Sequence, residues 1–195
     1  MSKTLILLFH PDLARSRANA VLAAAALRLP EVELIDVHSL YPDGGVDAGA
    51  EADRLLSADR IVLQFPIHWY STPPLLKAWQ DAVFTRMVYV HYKTEGRLLA
   101  GKPLLVAATA GNVPEAYAPG GANRFTMAEL LRPLEASAHR CGLSWQPPFL
   151  VYRADKRDEL SLFSAGRDYA ARLDAWGRAG EAEEDPRRYL VEAWG

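Results

Sequence analysis

A chain of 195 residues, 50% of them hydrophobic, can bury one substantial core and points to a single domain. Its formal net charge of -2 gives no electrostatic case for a nucleic-acid partner. The lone Cys141 excludes an internal disulfide framework, and no Cys/His group has structural zinc spacing, so a reducing, cytoplasmic setting is expected.

The run Leu5-Ile6-Leu7-Leu8-Phe9 is too short to cross a membrane and stops at His10-Pro11-Asp12 without a cleavage region for a signal peptide. It reads as a first core strand, and any membrane association would be peripheral. Nearly continuous apolar character over residues 4 to 9 suits a parallel strand covered on both faces. A helix rich in alanine and leucine follows over residues 17 to 29, then a second strand at Val32-Glu33-Leu34-Ile35-Asp36. A short helix is predicted over residues 50 to 56 and a strong strand over residues 60 to 65. Residues 74 to 84 form the next predicted helix, and Gly101-Lys102-Pro103 introduces a fourth strand, Leu104 to Ala108.

A further helix spans residues 126 to 139 despite Pro133, and Phe149 to Tyr152 supplies the fifth strand. The final helix covers residues 159 to 176. Strands alternating with helices predict a three-layer α/β sandwich, assigned to residues 1 to 178 with a C-terminal tail over residues 179 to 195. The tail is polar as far as Pro186. Its end, Tyr189-Leu190-Val191-Glu192-Ala193-Trp194, is apolar enough to cover a surface, either a partner's or this domain's own.

Three loops follow strands in positions where open α/β sheets bind ligands. In the first, His10, Ser16, Arg17 and Asn19 surround a helix beginning whose unpaired backbone donors favour a phosphate, with Arg15 as a further source of charge. Ser16 as a plain N-cap and solvent-facing arginines are the alternatives. Neither a Walker A sequence nor a Gly-x-Gly-x-x-Gly pattern occurs at this loop, which makes a mononucleotide the economical ligand. In the second loop, Pro66, Ile67, His68, Trp69 and Tyr70 offer backbone hydrogen bonds and flat aromatic surface for a planar heterocycle. Tyr70 as a wall of the site and Tyr70 as plain surface are weighed evenly. In the third, Thr109, Ala110, Gly111 and Asn112 offer donors and close backbone approach, though an ordinary turn reads equally well.

Met87 to Tyr92 reads as a substrate-facing loop, with core or dimer packing an equal alternative for Met87 and Tyr89. Cys141, between a helix and Gly142, reads as packing rather than as a redox nucleophile.

Over residues 3 to 178 the chain resembles the flavodoxin-like NAD(P)H:quinone oxidoreductase family, close to the bacterial ancillary flavoproteins of glutathione-gated potassium efflux systems. The resemblance rests on His10-Pro11 with Ser16 and Asn19, on the block from Pro66 to Lys77, on the loop that follows the fourth strand, and on Cys141 to Phe149. It implies a doubly wound, five-stranded parallel sheet of flavodoxin type. It also implies FMN, with FAD the alternative: the phosphate near His10, Ser16, Arg17 and Asn19, and the ring against Pro66, Ile67, His68, Trp69 and Tyr70, with Thr109, Ala110, Gly111 and Asn112 along another edge. The implied activity is ping-pong NAD(P)H:quinone oxidoreduction, with NADH or NADPH as donor, a quinone as acceptor and Tyr117 as the catalytic hydrogen-bond donor. A homodimer is implied as well.

Two departures from the family stand out. Thr109-Ala110-Gly111-Asn112 replaces a common Thr-Thr-Gly-Gly, and Asn123 falls where larger quinone reductases carry a histidine. Azo or nitro reduction is a rival activity. A flavin-containing regulatory subunit at the inner face of the cell membrane, bound to a potassium efflux transporter, is the non-enzymatic rival.

Overall fold

Side chains alternating along the buried strands decide the architecture. The structure is a computed structural model that describes residues 2–179. Strand β1 (Thr4–Leu8) sits between β2 (Val32–Asp36) and β3 (Arg60–Pro66), and β4 (Pro103–Thr109) lies beyond β3. All these pairings are parallel, in register Leu7↔Ile35, Leu7↔Leu63 and Leu63↔Val106.

Leu5, Leu7, Ile61, Leu63, Leu104 and Val106 face one layer of the core, whereas Ile6, Val62, Leu105 and Ala107 face the other. Helices α1 (Arg17–Ala26) and α6 (Glu159–Ala179) cover the second face. Helices α3 (Ala48–Ser57), α4 (Pro74–Thr85) and α5 (Met127–Arg140) cover the first, after the four-residue α2 (Val37–Leu40). Helices on both faces force the strands to be apolar on both sides, which is why they read as continuous runs. Gly166 lets α1 and α6 meet closely, since a Cβ there would lie 3.0 Å from the Val21 side chain.

The fifth position of the sheet is split. Ser144–Trp145 (β5) pairs with the start of β4, and Phe149–Val151 (β6) pairs with its end. Between them stand Pro147 and Pro148, which have no N–H to continue the ladder. The strand expected at Phe149 to Tyr152 is therefore present one residue shorter, and the Ser144–Trp145 pairing goes beyond what the sequence suggested. Helix α1 stops at Ala26 rather than at Leu29: the last residues before Pro30 tighten into turns in which Arg28 N–H donates to Ala25 O and Leu29 N–H to Ala26 O.

Residues 86–90 are not a loop. They continue α4 as a π-helical turn that buries Met87 and exposes Tyr89. The final helix runs through Gly177 to Ala179, and the rest of the expected tail lies outside the described residues.

One charged side chain is completely enclosed. Glu51, at 0% exposure on α3, accepts from the Tyr41 hydroxyl at 2.9 Å and the Trp79 indole N–H at 2.8 Å, and it pairs with Arg54. Each carboxylate oxygen has a donor, so the cost of burying the charge is met by three hydrogen bonds.

Candidate active site

Three loops leave the carboxyl ends of β1, β3 and β4, neighbouring strands of the sheet, and are tied together beneath the surface. The first forms a short 3₁₀ turn, Leu13–Arg15, and then enters α1 with Ser16 as N-cap. Ser16 Oγ accepts from Asn19 N–H at 3.2 Å, which leaves its own hydroxyl proton to donate. The N–H groups of Arg17 and Ala18 stand at the open end of the helix, where no intrahelical acceptor exists. That donor set fits a phosphate. Arg15 and Arg17 are both exposed on this loop.

Asn19 is buried and serves as the knot. Its Nδ2 donates to Thr109 Oγ1 at 3.0 Å, and its backbone carbonyl accepts from Gln64 Nε2 at 3.0 Å. The amide thus links α1 to β3 and β4 from below. Gln64, a polar residue within an apolar strand, is a supporting residue that sequence reasoning missed; its position within that run was the available signal.

The second loop is a tight hairpin. His68 and Ser71 exchange both backbone hydrogen bonds at 2.9 Å, leaving Trp69 and Tyr70 as the two turn residues. Their φ angles are 46° and 64°, the left-handed pair that this turn needs and that Asn-Gly normally supplies. Bulky residues there cost of order 1–3 kcal/mol each. The turn holds Trp69 94% exposed and Tyr70 at its side, while Ile67 N–H donates to the Thr109 carbonyl at 2.8 Å and Pro66 pairs with Thr109.

The third loop is braced by the segment after β6. Ala110 donates to Val151 O at 2.8 Å and accepts from Ala154 N–H at 3.0 Å; Asn112 O accepts from Arg153 N–H at 3.0 Å. Asn112 Oδ1 accepts from Val113 N–H at 2.9 Å. Gly111 is exposed, and a Cβ there would approach the Asp155 carboxylate at 3.5 Å.

Tyr117 follows in a 3₁₀ turn, Pro114–Tyr117, with its ring 5.7 Å from that of Tyr152. Burial raises its pKa, as does the neighbouring Tyr70, against the pull of hydrogen bonds from the Asn112 backbone and the Asn123 side chain. The phenol is therefore neutral at physiological pH and available as a donor. Asn123 also accepts from Tyr70 OH at 3.4 Å, a contact across two loops that sequence alone does not give.

Imidazoles gather beside the first loop. His10 Nδ1 accepts from Asp12 N–H at 3.1 Å. Its pKa is lowered, chiefly by burial and then by the charges of His68 and His38, against the opposing effect of Asp12. Burial also lowers the pKa of His38, with Asp36 opposing it. His10, Asp12, Asp36, His38 and Ser39 line an open hollow of about 640 Å³ on the β2 side of the loop. Away from the site, burial pushes the Cys141 thiol up to about 12, so it is not a thiolate near neutral pH.

A family model described as the flavodoxin-like fold matches residues 2–173. A glutathione-regulated potassium-efflux system ancillary protein, KefF, of Salmonella newport is 40% identical over 179 residues, covering 88% of this chain and 96% of its own. The crystal structure of general stress protein 14 from Treponema denticola in complex with FMN is similar with a TM-score of 0.81 and 33% identity, covering 89% of this chain and 98% of that one. An NADPH-quinone reductase from P. pentosaceus is similar with a TM-score of 0.75 and 31% identity, covering 87% and 96%.

Proposed function

The chain belongs to the flavodoxin-like fold family, and on that footing we propose that it is an FMN-dependent NAD(P)H oxidoreductase acting as the ancillary subunit of a glutathione-regulated potassium-efflux system. The observation that carries the flavin reading is the convergence of a phosphate-ready helix start at β1, an exposed aromatic turn at β3 and a braced loop at β4. The ancillary role is favoured over free-standing quinone turnover by the 40% identity to KefF, against 31% to the quinone reductase.

In this reading Ser16 and the N–H groups of Arg17 and Ala18 hold the phosphate, with His10 beside them. Trp69, Tyr70, His68 and the backbone from Pro66 to Ile67 flank the ring. Gly111 and Asn112 meet its other edge. The Asn19–Thr109–Gln64 links fix the distance between the phosphate and ring positions. Bound FMN would supply two-electron chemistry between NADH or NADPH and a quinone. Tyr117 donates a hydrogen bond where negative charge accumulates. A homodimer is part of this reading, with the exposed Tyr89, Val90 and Tyr92 after α4 as the surface for a second copy. The protein works in the cytoplasm, at the inner face of the membrane; no helix among the described residues is long and apolar enough to cross one.

Two measurements test it. The purified protein carries near-stoichiometric FMN, and its yellow absorption bleaches anaerobically on addition of NADH or NADPH. Protein that stays colourless after saturation with FMN removes the flavin reading. Potassium flux through a reconstituted efflux transporter rises when the full-length protein is added. Rapid quinone turnover without any effect on flux would return the quinone-reductase reading to first place.

A further inference from the structure

Backbone strain in this protein gathers at one end of the sheet. Among the described residues, the non-glycine positions with a left-handed φ are Glu31, Trp69, Tyr70, Arg124 and Arg153. Glu31 precedes β2, whereas the other four lie on the loops that leave the carboxyl ends of β3, β4 and β6. Trp69 and Tyr70 form the aromatic turn. Arg124, at φ 64°, and Arg153, at φ 54°, stand outside it.

Both arginines are exposed, and hydrogen bonds of the backbone hold both in place. Arg124 N–H donates to Gly121 O at 2.9 Å. Arg153 N–H donates to Asn112 O at 3.0 Å, and its carbonyl accepts from Lys156 N–H at 2.9 Å and Arg157 N–H at 3.0 Å. Arg157 spends its guanidinium inside the fold, on Tyr152 O and Ser161 Oγ. The guanidiniums of Arg124 and Arg153 find no acceptor among the described residues, although Glu115 and Asp155 are exposed on the same loops. Glycine would occupy either position without strain. A strained arginine whose side chain does nothing for the fold is the pattern of a binding residue.

We propose that Arg124 and Arg153 hold the phosphates of the nicotinamide dinucleotide. The inference rests on the reading of residues 66–70 and 109–112 as the walls of a flavin site. Both arginines are joined to those walls. Arg153 is one backbone hydrogen bond from Asn112, and Arg124 follows Asn123, which accepts from the Tyr70 hydroxyl at 3.4 Å. In that reading the start of α1 holds the flavin's own phosphate, with Arg15 and Arg17 on the same loop. A second anionic ligand therefore needs cations elsewhere. The turn at residues 66–71 carries no lysine or arginine, and the loop at residues 110–126 carries Arg124 alone. A guanidinium stays charged at every working pH, and its planar fork matches two phosphate oxygens at once. Fixing the backbone beforehand lowers the ordering cost of each contact.

The test uses Arg124→Gly and Arg153→Gly in full-length, FMN-loaded protein. Each variant should raise the NADH or NADPH concentration that half-saturates anaerobic bleaching about tenfold, the worth of a charge-assisted hydrogen bond, with the maximal rate unchanged. Calorimetric titration with NAD+ and NADP+ should show the same loss of affinity without any turnover. A loss for both nucleotides assigns the arginines to the pyrophosphate, and a loss for the phosphorylated one alone assigns them to the 2′-phosphate; either upholds the inference. Unchanged half-saturation and unchanged affinities overturn it. The thermal midpoints of both variants should equal or exceed that of the parent, because glycine accepts these φ values. Lower midpoints in both would show that the arginines serve the fold, and would also overturn it. Where no nicotinamide bleaches the parent protein, calorimetry decides alone: arginine-dependent NAD+ or NADP+ binding keeps the inference and places the failure in the proposed function.

Discussion

The Glu51 network and the turn at residues 68–71 answer opposite demands on a protein. Around Glu51 every polar group finds a partner inside the fold, and the carboxylate has no exposure at all. At the turn, two large aromatic residues occupy the left-handed backbone region, and one of them is 94% exposed. The first arrangement is explained entirely by stability. The second costs stability and returns, from its two aromatic side chains, one long hydrogen bond from Tyr70 to Asn123. Strain of that kind, supported by a hydrogen-bonded turn at the end of a core strand, is the pattern of a binding element.

The contrast can be broken most directly at Glu51. Replacing it with alanine leaves the Tyr41 hydroxyl, the Trp79 N–H and Arg54 without their acceptor, and should cost roughly 3–5 kcal/mol in denaturant unfolding. A loss below about 1 kcal/mol would show that the network carries no special weight. The knot beneath the site comes next. Thr109→Val removes the acceptor of the Asn19 amide and should cost about 1–3 kcal/mol, read as a lower unfolding midpoint.

The turn itself predicts the reverse sign. Combining Trp69→Asn with Tyr70→Gly supplies the residues that such a turn prefers, and should raise stability by about 1–2 kcal/mol. The same pair of changes should weaken FMN binding about tenfold or more, seen by quenching of flavin fluorescence. A destabilised double variant would mean that the aromatic rings hold the fold together, and the strain argument would lapse.

The smallest effect comes from pH. Burial depresses the pKa values of His10 and His38 in the folded state below the ordinary histidine value. The unfolded chain therefore binds more protons in that window. Their contribution is fully present above about pH 6.5 and is lost as pH falls through the depressed folded values. Thermal midpoints should drop on acidification below about pH 6.5, and His38→Gln should flatten that drop. An unchanged slope would assign the acid sensitivity to other groups.

Much of this was legible before any coordinates. The strand at residues 32 to 36 has the expected bounds, and β1, β3 and β4 lie within a residue of expectation, because fully buried parallel strands must be apolar on both faces. Helix α5 was expected over residues 126 to 139 despite Pro133, and it runs Met127–Arg140; the structure adds a capping box between Thr126 and Glu129. The divided fifth strand was harder to see, since a two-residue strand carries no periodicity, although Pro147-Pro148 marks the break. The π-helical turn at residues 86–90 was hidden for a related reason: its exposed Tyr89 and Val90 look like loop residues when their neighbours are unknown.

Among the candidate ligand-binding residues, the sequence placed Ser16 at a helix start and Trp69-Tyr70 after a core strand. It could not say that Asn19 would face Thr109 rather than solvent, because the partners are 90 positions apart. Nor could it give the left-handed φ values of two aromatic residues, which local propensity argues against. Composition and periodicity determined which segments are strands, helices and turns, since those depend on neighbours a few residues away. Only the tertiary structure decided which polar groups are satisfied, which are strained and which meet across loops. Those outcomes depend on the distant segments that the sheet order brings together.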